Sequence, residues 1–227
     1  MTGVQTCALP IYFPELSYEA YIGALAQGAD ALECDIRLTK DNQLVLWHDA
    51  DMRRISGNSS KIASLTLAQI QSIAPVMTID QLFHIAINAK KALFLETKHP
   101  VPTRGAVERE LMAYLNSYKS LIEKSRIEIK LMSFSKMAVR RFSRQSICQP
   151  MQLIKDFRTL RTAKTKDVGI GIFLLRNRGE LIAQAKAQGK RVHIWTVDDP
   201  EEALWLANLG VDSITTNKPA LIRQALN

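Results

Sequence analysis

The fold of this chain is decided by the stretch ALECDIRLTKDNQLVLWHDADM, residues 31–52. Its first eight residues have the apolar character of a buried strand, yet they include two carboxylates, Glu33 and Asp35, and His48 ends the second apolar run. Side chains two residues apart in a strand share a face, so Glu33 and Asp35 point together, whereas Cys34 points to the opposite face and into the core. Buried carboxylates are costly unless a partner balances them, and a metal ion would be such a partner.

Strands and helices alternate on both sides of this stretch. The strand-like runs are DALECDIRL, LVLWHD, KALFLETKHP, RIEIKLMSF, QPMQLI, RVHIWTV and VDSITT, with DVGIGIFL as an eighth. Helical patterns separate most of them, which indicates an α/β fold of parallel strands joined by helical crossovers. The length of 227 residues suits a (β/α)8 TIM barrel of about 250 residues. A doubly wound open sheet is the alternative, but its glycine-rich phosphate loop, GxGxxG, is absent.

Composition excludes several classes of protein. Hydrophobic residues make up 47% and charged residues 23%, as in an ordinary globular domain. No run of about 18 apolar residues exists, so we expect no transmembrane segment. The net charge of +8 favours anionic partners. A nucleic-acid partner is not expected, because no aromatic residues alternate with the basic ones to stack on bases.

A second strand end carries the same kind of chemistry. In LFLETK, Glu96 and Lys98 share a face, and in a barrel the carboxyl ends of the strands meet at the rim where active sites lie. Three carboxylates gathered there would repel one another without a cation. Oxygen ligands favour Mg²⁺ or Ca²⁺, and zinc is disfavoured because no Cys/His pair has ligand spacing. The alternative is a set of surface ion pairs, for which Arg37 and Lys98 are available.

An ordered set of motifs resembles one known family. The motifs are PELSYEAY, ALECDIRLTKDNQLVLWHD, LFLETK, LMSF and VHIWTVDDPEEALWLANLGVDSITTNKP, and the resemblance, over residues 13–227, is to the glycerophosphodiester phosphodiesterases. The resemblance implies a TIM barrel that hydrolyses glycerophosphodiesters to an alcohol and glycerol 3-phosphate with a divalent cation. It implies metal ligands at Glu33, Asp35 and Glu96, a catalytic histidine at His48, and substrate-binding residues at Lys98, Trp195 and Glu15.

The N-terminus departs from that family. The family's first strand ends in His-Arg-Gly, which supplies a second catalytic histidine and a phosphate-binding arginine, and no such triplet precedes Pro14. The segment TGVQTCALPI instead resembles a translated sequencing adapter. We therefore expect residues 1–12 to be artefactual, with residues 13–227 forming a barrel domain that lacks its native first strand, although ALPIYF is apolar enough to fill the gap. His84, His99 and His193 are not expected to replace the missing histidine.

These features define the expected function and its alternatives. We expect an enzyme, a phosphoric diester hydrolase acting on a small-molecule diester, with activity impaired by loss of the His-Arg-Gly strand. A non-catalytic barrel that binds phosphate ligands or a protein is the alternative. Three cysteines, Cys7, Cys34 and Cys148, give no disulfide framework and favour the cytoplasm. A periplasmic or secreted location fits equally if a native N-terminus carried a signal peptide.

Overall fold

The computed structural model describes residues 5–8, 13–102, 104–144, 146–176 and 178–227. The chain forms these strands: β1 (Gln5–Ala8), β2 (Ala31–Leu38), β3 (Leu44–Leu46), β4 (Asp51–Met52), β5 (Asn58–Lys61), β6 (Ala92–Thr97), β7 (Ile129–Ser133), β8 (Gln149–Ile154), β9 (Asp167–Gly171), β10 (Arg191–Trp195) and β11 (Ser213–Thr216).

Helices connect the strands. They are α1 (Tyr18–Ala26), α2 (Arg53–Ser56), α3 (Leu67–Ile73), α4 (Ile79–Ala89), α5 (Ala106–Ser117), α6 (Lys119–Ser125), α7 (Lys136–Phe142), α8 (Phe157–Thr162), α9 (Ile172–Leu175), α10 (Glu180–Ala187), α11 (Pro200–Asn208) and α12 (Pro219–Leu226), with a 3₁₀ turn at Ile62–Ser64. Side chains cap the first turn of several helices: Ser17, Thr66, Thr78 and Ser135 each accept a hydrogen bond from a backbone N–H there.

Eight parallel strands close into a ring. The order is β1, β2, β6, β7, β8, β9, β10 and β11, and β1 pairs with both β2 and β11. Ala8 lies opposite Leu32 on one side and Thr216 on the other. The prediction of a (β/α)8 TIM barrel is confirmed, and the carboxyl ends of all eight strands meet at one rim.

Two strand-like runs differ from their prediction. LVLWHD is not a member of the ring, because β3 runs antiparallel to β2 and forms a hairpin with it. Gln5–Ala8 takes the position of the first strand; of ALPIYF, which is apolar enough to fill that gap, residues 9–12 lie outside the described part. DVGIGIFL is a strand only as far as Gly171, after which its apolar residues begin α9.

The apolar residues divide between two layers. The outward faces of the strands pack on the helices, as with Leu32, Cys34 and Ile36 of β2, all fully buried. Cys34 is therefore a free core cysteine, as predicted. Inside the ring, a smaller cluster that includes Phe94 and Met151 fills the lumen. No helix in the described part of the chain is both long and apolar enough to cross a membrane.

A buried ion cluster lies at the amino ends of the strands, opposite the carboxylate rim. Asp167, at the start of β9, contacts Lys130 Nζ at 3.3 Å and accepts a hydrogen bond from Arg191 Nη2 at 2.8 Å. Lys130 and Asp167 are almost wholly buried, and the Lys130 ammonium also lies over the Phe94 ring, 4.7 Å from its centre. The ammonium is thus compensated by the Asp167 carboxylate, by Glu128 Oε1 at 3.8 Å and by one aromatic face.

We predict that Asp167→Asn destabilises the fold by about 3 kcal/mol, because it leaves the buried Lys130 ammonium with only the more distant Glu128 carboxylate. Urea unfolding followed by circular dichroism measures the change. Glu123→Gln is the matched control. The Lys119–Glu123 ion pair is exposed, with Nζ and Oε1 3.8 Å apart, so its loss should change the free energy of unfolding by less than about 0.5 kcal/mol. Equal unfolding midpoints for the two variants would contradict this account of the cluster.

Candidate active site

A cavity of about 320 Å³ opens at the carboxyl ends of the strands. Charged residues and a histidine occupy one part of its wall, and aromatic and apolar residues occupy the rest. The lining residues are Glu33, Asp35, His48, Glu96, Lys98, Met132, Phe134, Leu153, His193, Trp195, Thr196, Thr215 and Asn217. Six of the seven site residues predicted from the sequence therefore lie on one cavity; Glu15 is the exception.

The three predicted metal ligands converge. One carboxylate oxygen from each of Glu33, Asp35 and Glu96 lies within 4.8 Å of the others, and all three side chains are buried. The strand pleat explains the first pair, because Glu33 and Asp35 are two residues apart. The register explains the third, because Asp35 lies directly opposite Glu96 in the parallel pairing of β2 with β6. Backbone geometry alone thus brings three carboxylates to one point.

Lys98 provides the nearest positive charge. Its Nζ lies 3.2 Å from Asp35 Oδ1 and 3.2 Å from Glu96 Oε1. Burial opposes charge on this ammonium, but the two carboxylates outweigh burial and hold the pKa of Lys98 above its usual value. The other cation proposed from the sequence, Arg37, donates instead from Nε and Nη2 to the backbone carbonyl of His48, at 3.1 and 2.7 Å. Arg37 thereby holds the segment that carries His48.

One ammonium does not balance three carboxylates. Burial, followed by repulsion from Asp35 and Glu96, raises the pKa of Glu33 well above its ordinary value. Burial and the Asp35 charge raise the pKa of Glu96 to about 7, although Lys98 and His48 act in the opposite direction. The cluster therefore takes up protons near neutral pH when no further cation is present.

His48 is oriented from its outer side. Its Nδ1 lies 2.8 Å from Asp49 Oδ1, and Asp49 Oδ2 accepts a hydrogen bond from Arg54 Nε at 2.6 Å. Arg54 in turn donates to Glu15 Oε2 at 2.8 Å. The predicted substrate-binding residue Glu15 is thus part of an exposed chain of charges that ends at His48, and it does not line the cavity.

Aromatic rings form the opposite wall. Trp195 contacts Phe134 and Phe173 edge to face, each with ring centres 5.8 Å apart. Its indole Nε1 is buried and has no hydrogen-bond partner within the described part of the protein. A buried N–H donor on a cavity wall is a group that a ligand oxygen can satisfy.

The remaining histidines have partners of their own. His193 is buried inside the ring, where Ser213 Oγ lies 2.7 Å from Nδ1 and Thr215 Oγ1 lies 2.9 Å from Nε2. His99 pairs with buried Glu108 on α5, and His84 lies on the exposed face of α4. Within the described residues, His48 is the only histidine at the cavity with a solvent-facing ring.

Sequence reasoning missed two supports of the site. The hydroxyl of fully buried Tyr21 donates to the backbone carbonyl of Glu33 at 3.1 Å, which fixes β2 against α1. Asp198 accepts hydrogen bonds from Thr216 Oγ1 and from the backbone and side chain of Asn217, which shapes the rim beside Trp195. Asp198 directly follows WTV, and this acidic position could have indicated the second support from the sequence. A tyrosine in a helix, such as Tyr21, gives no such indication of the first.

Comparison with known proteins agrees with this geometry. Residues 8–221 match the model of the glycerophosphoryl diester phosphodiesterase family. A Mycobacterium tuberculosis protein named "Probable glycerophosphodiester phosphodiesterase 1" is 32% identical over 233 residues, which cover 91% of this chain and 85% of that protein. The Bacillus subtilis glycerophosphodiester phosphodiesterase is 25% identical, over 94% of this chain and 82% of its own length.

Solved structures share the barrel. A glycerophosphodiester phosphodiesterase from Parabacteroides distasonis superposes with a TM-score of 0.80 at 24% identity, covering 99% of this chain and 97% of that chain. An Oleispira antarctica phosphodiesterase, solved with the product sn-glycerol 3-phosphate, also has a TM-score of 0.80, at 20% identity, with 98% and 96% covered. At these identities the likeness shows the fold. The match of the family model over nearly the whole chain carries the assignment, and this chain belongs to the glycerophosphoryl diester phosphodiesterase family.

Proposed function

We propose that this barrel hydrolyses glycerophosphodiesters to an alcohol and glycerol 3-phosphate, with a divalent cation. The observation that carries the proposal is the convergence of Glu33, Asp35 and Glu96 within 4.8 Å, beside Lys98 and on the cavity that also holds His48. An anionic diester needs positive charge at its phosphate, and this chain builds a place for such charge at the rim where barrel enzymes act.

The donor set fits a hard divalent ion. Glu33, Asp35 and Glu96 would hold it, and Mg²⁺ or Ca²⁺ is favoured because every donor is a carboxylate oxygen. The raised pKa values of Glu33 and Glu96 support this assignment, because they arise from burial and from repulsion between the carboxylates, which a bound cation would offset. When bound, a divalent ion polarises a phosphoryl oxygen and balances the charge that develops during hydrolysis.

Lys98 and His48 supply the chain's own chemistry. The Lys98 ammonium contacts Asp35 and Glu96 and lines the cavity, where it can attract and orient a phosphate oxygen. The Asp49 contact favours the His48 tautomer with a proton on Nδ1, which leaves Nε2 to accept a proton or, once charged, to donate one to the leaving oxygen. Trp195 offers its unpaired indole N–H and an aromatic wall to the glycerol part of the substrate.

We further propose that residues 1–12 are not the native first strand and that this chain is catalytically weak. The cavity has a second histidine, His193, but Ser213 and Thr215 occupy both of its ring nitrogens. That observation also favours the second candidate function, a barrel that binds phosphate ligands without turning them over. A cytoplasmic location remains part of the proposal, because Cys34 and Cys148 are free and buried.

Replacing residues 1–12 with a first strand that ends in His-Arg-Gly should raise the release of glycerol 3-phosphate from glycerophosphocholine by at least about 100-fold, the usual contribution of general acid–base catalysis. A coupled enzymatic assay for glycerol 3-phosphate, run in the presence of Mg²⁺ or Ca²⁺, measures this release. Glu96→Gln in the restored protein should abolish the gain. A restored, folded and metal-loaded protein that binds diesters without cleaving them would favour the non-catalytic barrel.

Cation binding should weaken as the pH falls, because the cation needs Glu96 ionised. The pKa of Glu96 is about 7 in the ion-free protein, so titration calorimetry should show about tenfold weaker Mg²⁺ or Ca²⁺ binding near pH 6 than near pH 8. Glu96→Gln should remove binding, and Glu123→Gln, on exposed α6, should leave it unchanged. Affinity that is independent of pH over this range would contradict the role of Glu96.

His193 should stay neutral across the physiological range. Burial, with a smaller contribution from Lys130, lowers its pKa from 6.5 to about 3. Below about pH 6.5 His193 binds a proton in the unfolded chain but not in the folded protein. The free energy of unfolding should therefore fall as the pH is lowered from about 6.5 towards 3. Nitrogen-15 NMR spectra, assigned with His193→Gln, should show no titration of this ring between about pH 8 and 5. A midpoint near pH 6.5 would refute the assignment.

A further inference from the structure

Three consecutive helices on the active-site rim begin with an exposed apolar side chain. Met137 is the second residue of α7, Phe157 the first of α8 and Phe173 the second of α9. Their exposed fractions are 65%, 37% and 60%. Because these helices follow β7, β8 and β9, their first turns lie at the carboxyl ends of those strands, and the three side chains therefore occupy the same end of the barrel as the cavity.

Basic side chains surround these apolar ones. Lys136, Lys155, Arg158 and Arg178 are all exposed, and they lie on two neighbouring depressions of the surface. One depression is lined by Phe157, Phe173, Lys155 and Arg178, and the other by Lys136, Lys155 and Arg158. Asp156, which caps α8, lines both depressions and leaves the basic residues in excess. None of the four makes an ion pair with another described residue. We call the three apolar and four basic residues the rim surface.

The rim surface is continuous with the active-site cavity. Phe134 lines both the cavity and the depression that holds Lys136 and Arg158. Phe173 lies against Trp195 of the cavity wall, with ring centres 5.8 Å apart. The Phe173 ring also covers Gly171 so closely that it leaves no space for a side chain at that position. A partner that binds the rim surface therefore meets the mouth of the active site.

Other exposed apolar residues have a different setting. Leu204, Leu209 and Leu221, on or next to α11 and α12, are exposed to 45%, 39% and 41%. Acidic residues, Glu201 and Glu202, begin that helix pair. The combination of exposed apolar side chains with unpaired basic ones is therefore a property of the rim surface and not of exposed leucines in general.

We propose that the rim surface binds the surface of a lipid bilayer that contains anionic lipids. The four basic side chains match the negative charge of the headgroups, and the net charge of +8 attracts the whole chain to such a surface. Met137, Phe157 and Phe173 enter the boundary between headgroups and acyl chains, as the apolar residues of interfacial proteins do. A bilayer fits better than single-stranded nucleic acid, because the apolar positions include a methionine and are spread over three helix ends instead of following one groove.

This inference does not depend on catalysis by the present chain. Its consequence for the active site is orientation: a barrel bound through the rim surface presents its cavity to the bilayer. A diester released from the membrane, or still carried in it, would then meet the carboxylate cluster directly.

Sedimentation with vesicles tests the proposal on the full chain. Vesicles of phosphatidylcholine with phosphatidylglycerol should bind the protein, and vesicles of phosphatidylcholine alone should not. The triple variant Met137→Ser, Phe157→Ser and Phe173→Ser should bind at least about tenfold more weakly, because it removes most of the apolar area that enters the bilayer. The matched control, Leu204→Ser, Leu209→Ser and Leu221→Ser, removes exposed apolar area elsewhere and should bind as the unchanged protein does.

Charge and folding are tested separately. Lys155→Gln, Arg158→Gln and Arg178→Gln together should weaken vesicle binding, and added salt should weaken binding of the unchanged protein. The single variants Met137→Ser and Phe173→Ser change the two most exposed positions, so they remain informative if the triple variant does not fold. The proposal is overturned if anionic vesicles are not bound, if the rim and control triples bind equally, or if single-stranded DNA is bound in preference to vesicles.

Discussion

The crowding of three buried carboxylates at one rim is the constraint on which this structure depends. The pleat of β2 aims Glu33 and Asp35 the same way, and the register with β6 adds Glu96, so their oxygens lie within 4.8 Å of one another. Lys98 compensates only part of that charge, and burial together with the remaining repulsion raises the pKa values of Glu33 and Glu96. A barrel that keeps this arrangement through its backbone geometry is prepared for a cation, since a cation removes the repulsion that the fold imposes.

The two ends of the barrel handle buried charge in opposite ways. At the amino ends, the Asp167 carboxylate contacts both Lys130 and Arg191, so buried acidic and basic groups lie in direct contact. At the carboxyl ends, three carboxylates share one ammonium, that of Lys98, and negative charge is in excess. Paired charges at one end and excess negative charge at the other separate a stabilising floor from an active-site rim.

Much of this site could be predicted because strand periodicity and the order of elements are local properties of the sequence. The two-residue repeat predicts that Glu33 and Asp35 share a face, as do Glu96 and Lys98, independently of any resemblance. The failures have long-range causes. LVLWHD has the composition of a ring strand, but the short turn before it returns the chain antiparallel to β2. Likewise, Gln5–Ala8 takes a ring position through backbone pairing with β2 and β11, and the sequence pattern of this segment does not predict that pairing. The contacts of Arg37 and Arg54 with the His48 segment also depend on tertiary structure.

Anomalous scattering from crystals soaked in Mn²⁺ tests the central claim most directly, since manganese accepts the same oxygen donors as Mg²⁺ and Ca²⁺. The account predicts one strong anomalous peak on the cavity wall, within bonding distance of oxygens from Glu33, Asp35 and Glu96. Fully soaked crystals with no peak at that position, with Lys98 still bridging Asp35 and Glu96, would contradict it.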